Sequence, residues 1–348
     1  MFNRKPDLYR PIGQLGSVNG WKSLPIKECG EPLVPLGSFS KYPQIATSSI
    51  YVGERQDSPY PTLKLDGALF SVFVREGVAR RLAAAASMLP PQHMLLVWDA
   101  YRSLVVQKAL FDYFVEVLEG KGTPHEQAVV DAQKFVSIPS EDPTRPPPHN
   151  TGGAVDLTIV RFGADAWREM ERLSRVVVMR ETSKNWRQIY EAEMHRLQLV
   201  REKAMPLQMG TVFDGVYPET ATRFFEELDQ GRFTNIEREV RDNRRLLCNT
   251  MAEAGFSNYP EEWWHFDFGN QFDMARTGRQ AIYGPAAPSA ENIAHEKMRR
   301  GHYLGCSAIS GGHPPQTKTP HELYPFVRNV AIRTGDLRCT VHPKAAAI

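Results

Sequence analysis

His149-Asn150-Thr151-Gly152-Gly153-Ala154-Val155-Asp156-Leu157-Thr158-Ile159-Val160 is the stretch on which the reading turns. Asn150 to Gly153 is a strong turn signal, because Asn and Gly reach backbone conformations that other residues avoid. From Ala154 the side chains alternate. Val155, Leu157 and Ile159 share one face, while Ala154, Asp156 and Thr158 share the other. A period of two is that of a strand, here one with a carboxylate on its less apolar face. His149 at the loop edge and Asp156 just inside the strand can converge on one point despite their separation. His265, in the aromatic-rich stretch Trp263 to Phe268, would add a third ligand from another strand. Two imidazoles and one carboxylate leave a fourth position for water, the donor set of catalytic rather than closed structural zinc.

Glu262 stands three residues before His265. On one regular strand their side chains would point to opposite faces. They act together only if Glu262 lies in a bend after Pro260, so that both reach the same water. The helical His-Glu-x-x-His pattern, with its ligands on one helical face, is absent from the chain. Each element alone is weak. A single buried His or strand Asp is more often structural than catalytic, and a Trp-Trp pair is usually core.

Working outward, Val78 to Leu89 reads as a helix stopped by Pro90-Pro91, and Met94 to Trp98 as a buried strand. A helix follows from about Leu104 to Leu118, ending at Gly120. From Ala164 to about Ala204, charged residues mixed with Trp and Leu fit two helices joined near Thr182-Ser183. Ile236 to Ala254 is a further amphipathic helix capped by Gly255. Residues 1–60 form an irregular arm with one or two strands, and 61–283 a single domain with a helical insertion at about 164–204. Residues 284–348 form a wrapping tail, periodic only from Leu323 to Ile332.

The 348 residues carry a formal charge of +2, which argues against a dedicated nucleic-acid binder. Their 42% hydrophobic content supports a buried core. The longest apolar candidate, Leu82 to Leu89, stops at Pro90 and falls short of a membrane span. Met1 to Asp7 lacks the apolar segment of a secretory signal. Cys29, Cys248, Cys306 and Cys339 are far apart, with no CxxC pair. They read as reduced thiols in a cytoplasmic protein, with one structural disulfide in an exported protein as the alternative.

Four motifs occur together in order. Asp99-Ala100-Tyr101-Arg102 follows the buried strand. His149, Gly152, Ala154 and Asp156 spell His-x-x-Gly-x-Ala-x-Asp. Met209-Gly210-Thr211-Val212-Phe213-Asp214 comes next, and Glu262 and His265 spell Glu-x-x-His. This set resembles the VanX-type D-alanyl-D-alanine dipeptidases, zinc enzymes of the wider D-Ala-D-Ala carboxypeptidase and Hedgehog-like fold. Asn243-Arg244-Arg245-Leu246-Leu247 resembles the family helix before the last metal ligand. The resemblance runs from about Tyr60 to Asn270, with a gap.

The resemblance implies an α+β fold whose mainly antiparallel sheet carries the site. It implies one zinc per chain on His149, Asp156 and His265, with Glu262 as general base. Arg102 would stabilise the oxyanion, and Asp214 would read the substrate's free ammonium unless it is only a turn-stabilising Asp. Asp99 and Tyr101 are expected to position Arg102. The implied activity is hydrolysis of D-Ala-D-Ala. D,D-carboxypeptidase action on peptidoglycan pentapeptide precursors and a non-catalytic peptide-binding module are the alternatives, and a His, His, Asp set also accepts other divalent metals. Two departures stand out. Pro147 occupies a position where the family often has Ser, and Ser103 replaces a Pro at a helix start, where it can cap. The insertion is a lid, a surface for homo-oligomerisation or passive. His295 and His302 raise a second metal, but surface or tail histidines are the better reading. The expected partner is a small D,D-dipeptide, with no nucleic acid and no membrane.

Overall fold

The computed structural model describes residues 6–52, 65, 67–133, 136–215 and 217–309. The expected segment Leu323 to Ile332 lies outside them. Strands β1 (Leu33–Pro35), β2 (Ala46–Thr47), β3 (Phe73–Arg75) and β4 (His93–Asp99) precede β5 (Ala154–Arg161). They are followed by β6 (Met205–Pro206), β7 (Ser257–Asn258) and β8 (His265–Asp267). The main sheet runs β2-β4-β5-β8-β7, with β6 beside the end of β5, and β1 pairs with β3 separately. Pairing is antiparallel except for β2 against β4. The expectation of a mainly antiparallel α+β fold therefore holds, with one parallel pair added by the N-terminal arm.

β5 is the central strand and is buried from Ala154 to Val160. Both of its faces are covered, so the alternation in its sequence records small and polar against bulky residues rather than water against core. Helix α1 (Glu76–Met88) packs on β3 and on the long α7 (Asn235–Glu253). Thr234 and Glu237 form a capping box at the start of α7, and Gly255 lies just past its end at φ +93°. The helix α2 (Leu104–Glu119) begins at Ser103, whose hydroxyl accepts from Val106 N–H, as its sequence position allows. A short α3 (His125–Ala132) packs against α2.

The insertion is the expected hairpin of α4 (Ala164–Val177) and α5 (Trp186–Lys203), packed along each other. Short α6 (Phe224–Glu227) packs on α7, and α8 (Gln271–Thr277) packs on β7. Beside the short α3, α6 and α8, which no sequence pattern marked, one long helix departs from the sequence reading. α9 (Ala290–Ile309) occupies part of the expected tail. Among its described side chains the buried ones, Asn292, Glu296 and Arg299, are polar. Glu296 accepts from the N–H groups of Phe70 and Ser71.

Candidate metal centre

The sheet register builds the centre. Asp99 of β4 lies opposite Asp156 of β5, which lies opposite His265 of β8. Directly opposed residues on adjacent strands project to the same face, so three strands deliver three functional groups to one spot. A register irregularity between Val97 and Asp99 re-aims the end of β4 at that spot. His149 arrives from a single 3₁₀ turn, Pro148–Thr151, that Pro148 starts and Gly152 ends. Gly152 is left-handed at φ +68°, and a Cβ there would meet Leu33 Cδ2 at 2.6 Å, so the turn needs a glycine.

His149, Asp156 and His265 are all buried, and one donor atom from each lies within 4.8 Å of the others. His149 Nε2 is 3.4 Å from Asp156 Oδ2, and His265 Nδ1 is 2.9 Å from Asp156 Oδ1. The outward ring nitrogens are already engaged. His149 Nδ1 donates to the Ala100 carbonyl at 2.8 Å, and His265 Nε2 donates to Asp267 Oδ2 at 3.0 Å. Committing the outward nitrogen as donor fixes the tautomer that leaves the inward lone pair for a cation. Burial opposes charge on the His265 ring, but Asp267 and Asp156 on its two sides overcome it and hold its pKa well above the ordinary histidine value. Burial likewise opposes the Asp156 carboxylate, yet His149 and His265 draw its pKa well below the usual range. A pocket that collects positive charge this strongly fits a divalent cation, which displaces the proton as it binds.

Glu262 lies in the bend after Pro260, as the sequence requires if it is to act with His265. Its N–H donates to the Tyr259 carbonyl, and its own carbonyl accepts from His265 N–H and Asn258 Nδ2. The Glu262 carboxylate comes within 3.9 Å of His265 Nδ1 and keeps 30% side-chain exposure. Beside it, burial and the Glu262 charge push the Tyr259 phenol up to about 12. Trp263 and Trp264 sit in the turn rather than in β8. They stack with Trp98 and Phe213 as an aromatic cluster next to the centre.

Arg102 is fastened to the same turn that carries His149. Its N–H donates to the His149 carbonyl at 3.1 Å, and Asn150 Nδ2 donates back to the Arg102 carbonyl at 3.1 Å. Its guanidinium is held by Asp99 and by Gln107 Oε1, and Tyr51 donates to the same Asp99 oxygen at 2.6 Å. Burial disfavours charge on Arg102, but Asp99 more than offsets it, so its pKa rises further above the ordinary value. Ser49, Tyr51, Ser71, Asp99, Tyr101 and Arg102 line the cleft here. Asp214 is left-handed at φ +60°. Burial first, then Asp99, and last the Asp214 charge raise the Tyr51 phenol well above its ordinary pKa against the opposing Arg102 charge, which puts Asp214 within electrostatic reach of Tyr51.

Sequence reading missed Asp267. It is fully buried and also accepts from Asn270 Nδ2 at 2.5 Å and from Arg276. Its signal was present: two residues beyond His265 on one strand places it on the same face. Tyr51 and Gln107 were also missed, and no local pattern marks either.

Residues 189–281 match a protein-family model described as D-ala-D-ala dipeptidase, a stretch that includes Asp214, Glu262 and His265. Over 272 residues the chain is 27% identical to a D-alanyl-D-alanine dipeptidase of Synechocystis sp., covering 72% of this chain and 86% of that protein. Both findings agree with the resemblance read from the motifs, and they mark the chain as an enzyme of metallopeptidase type.

Proposed function

We propose that this metallopeptidase, a relative of the D-alanyl-D-alanine dipeptidases, is a zinc-dependent dipeptidase that cleaves D-Ala-D-Ala into two molecules of D-alanine. The observation that carries the reading is the buried His149, Asp156 and His265 cluster with the Glu262 carboxylate 3.9 Å from His265. Those three residues would hold one zinc per chain. When bound, zinc supplies Lewis acidity, polarising the scissile carbonyl and acidifying a water near neutral pH.

Glu262 takes the proton from the attacking water, whose oxygen forms the new bond to the amide carbon. As the C–N bond breaks, Glu262 returns a proton to the leaving amine. Its partial exposure gives the carboxylate room to turn between the two positions. Arg102 faces the developing oxyanion. Asp99 keeps it charged and still, so its field is in place before the reaction begins. Asp214 pairs with the free ammonium of the substrate. A longer peptide would bring a neutral amide there instead, leaving that carboxylate poorly compensated. Among the described residues Cys29 and Cys248 carry free thiols, which supports a reducing, cytoplasmic setting.

The test compares kcat/KM of zinc-loaded protein on D-Ala-D-Ala and on a pentapeptide ending in D-Ala-D-Ala. A preference for the dipeptide of at least about a hundredfold, the scale of an unmade charged contact, is expected. Equal rates, or preference for the pentapeptide, would transfer the assignment to a D,D-carboxypeptidase.

A further inference from the structure

Arg244, near the middle of α7, is 1% exposed and has no part in the chemistry above. Its guanidinium donates to main-chain carbonyls instead of a carboxylate. Nε reaches Met209 O at 2.8 Å, Nη2 reaches Glu219 O at 2.6 Å and Nη1 reaches Ala221 O at 2.7 Å. Met209 stands before Asp214 in the chain, and Glu219 and Ala221 stand after it. One side chain thus ties together both ends of the segment that carries the ammonium-reading carboxylate. The neighbouring Asn243 Nδ2 adds a bond to Gln208 O at 2.9 Å.

The guanidinium also lies over the Phe225 ring, 4.8 Å from its centroid. At the entrance to the segment, Gly210 is left-handed at φ +84°, and a Cβ there would meet the Phe225 ring at 2.8 Å and Val240 Cγ1 at 2.9 Å. The segment therefore crosses α6 and α7 in close contact. On its other side it is bonded to the bend that carries Glu262. Trp263 Nε1 donates to Thr211 Oγ1 at 2.8 Å, and Trp263 N donates to Thr220 O at 3.0 Å. A buried cation with three carbonyl acceptors is an expensive way to close a loop. What it secures is geometry: five N–H donors in a rigid fork hold points distant in sequence at fixed separations, which a flexible ammonium cannot reproduce.

We propose that the Asn243–Arg244 clasp is a positioning device for substrate selection, holding Asp214 where it reads a free amino terminus. The inference rests on the assignment of Asp214 made above and extends it to residues that never touch substrate. The clasp acts on recognition of the ammonium: although the segment touches the bend through Trp263, Glu262 itself is anchored separately, its N–H on the Tyr259 carbonyl and its carbonyl on His265 N–H and Asn258 Nδ2. Loosening it therefore raises KM for D-Ala-D-Ala, leaves kcat nearly unchanged, and does not alter the affinity of a dipeptide without a charged amine.

The experiment measures KM and kcat for D-Ala-D-Ala, and the competitive Ki of N-acetyl-D-Ala-D-Ala, in zinc-loaded wild type, Arg244→Lys, Asn243→Ala and Asp214→Asn. Arg244→Lys keeps the charge but cannot span the three carbonyls. It is expected to raise KM about tenfold, the scale of one lost charge-assisted hydrogen bond, with Ki unchanged. Asn243→Ala is expected to shift KM the same way by a smaller factor, and it supplies the answer if Arg244→Lys does not fold. If Asp214→Asn raises KM selectively while both clasp variants behave as wild type, the clasp inference is overturned and the reading of Asp214 stands. If the clasp variants raise KM and Ki equally, their effect is general loosening and the inference is overturned. If Asp214→Asn itself spares KM, the ammonium reading fails and takes the clasp with it.

Discussion

Replacing Asp267 with Asn changes one charge and almost no volume, at a residue that touches neither substrate nor metal. Asp267 is fully buried and accepts from His265 Nε2 at 3.0 Å, from Asn270 Nδ2 at 2.5 Å and from Arg276. Burial opposes its charge, but His265 and Arg276 draw its pKa well below the usual carboxylate range. The substitution should have two separable effects. Arg276, 2% exposed in its side chain, loses its countercharge, and breaking one member of a buried pair costs about 3–5 kcal/mol of folding stability. The acceptor of His265 Nε2 loses the negative charge that raises the basicity of the inward nitrogen, and such outer partners are worth about 10–100-fold in metal affinity, or about 1.4–2.7 kcal/mol. Chelator-competition titration with zinc reads the second effect, and urea unfolding of the metal-free protein reads the first. Adding Arg276→Met removes the orphaned cation. The double variant should regain much of the stability while its zinc affinity stays low, because the two sites of loss are distinct. Zinc affinity of Asp267→Asn within about twofold of wild type, below the range for outer partners, would show that Asp267 does not orient a metal ligand.

Other substitutions probe the remaining parts. Arg102→Lys removes the fork held by Asp99 and Gln107, and steady-state kinetics should show kcat lower by about 10²–10³ with KM little changed. Glu226 takes a two-pronged contact from Arg245, both bonds at 2.6 Å, and a bond from Ile12 N–H. Burial raises its pKa, but those bonds outweigh it and leave the pKa lowered. Its contribution is therefore complete above the unfolded value of about 4.3 and is lost as pH falls through the folded value. The stability gap between wild type and Glu226→Gln should be about 3 kcal/mol at pH 7 and should shrink steadily in urea titrations toward pH 3. Ser103→Ala deletes the α2 cap and should cost about 1 kcal/mol by the same method. Stripping the metal with a chelator should abolish peptidase activity, with recovery on adding back zinc.

The parts of this molecule legible in the sequence are those where local pattern and tertiary role coincide. β5 announces itself by alternation, and Glu262 by the requirement for a bend that Pro260 supplies. The α4 and α5 hairpin and α7 follow ordinary helical spacing. Asp99 was legible as the holder of Arg102, because one turn of chain separates them. What escaped depends on pairing that no local pattern encodes. β2 is two residues long, and its parallel partner β4 is known only once the arm has folded back. α9 was invisible to hydrophobic periodicity because, among its described side chains, the buried ones are Asn292, Glu296 and Arg299, spaced four and three apart. These satisfy backbone groups and charges instead of filling an apolar core. Arg244 is similar. In sequence it is one of many helical arginines, and only the chain path from Met209 to Ala221 shows what it binds.

The most direct measurement is release of free D-alanine from D-Ala-D-Ala by zinc-loaded wild type beside Glu262→Ala, with zinc content determined on both samples. A zinc dipeptidase with Glu262 as its base releases D-alanine robustly as wild type, and loses that release in the variant while the variant retains one zinc per chain. Zinc bound by wild type without any D-alanine released would contradict the assignment, leaving a metal centre whose substrate is something else.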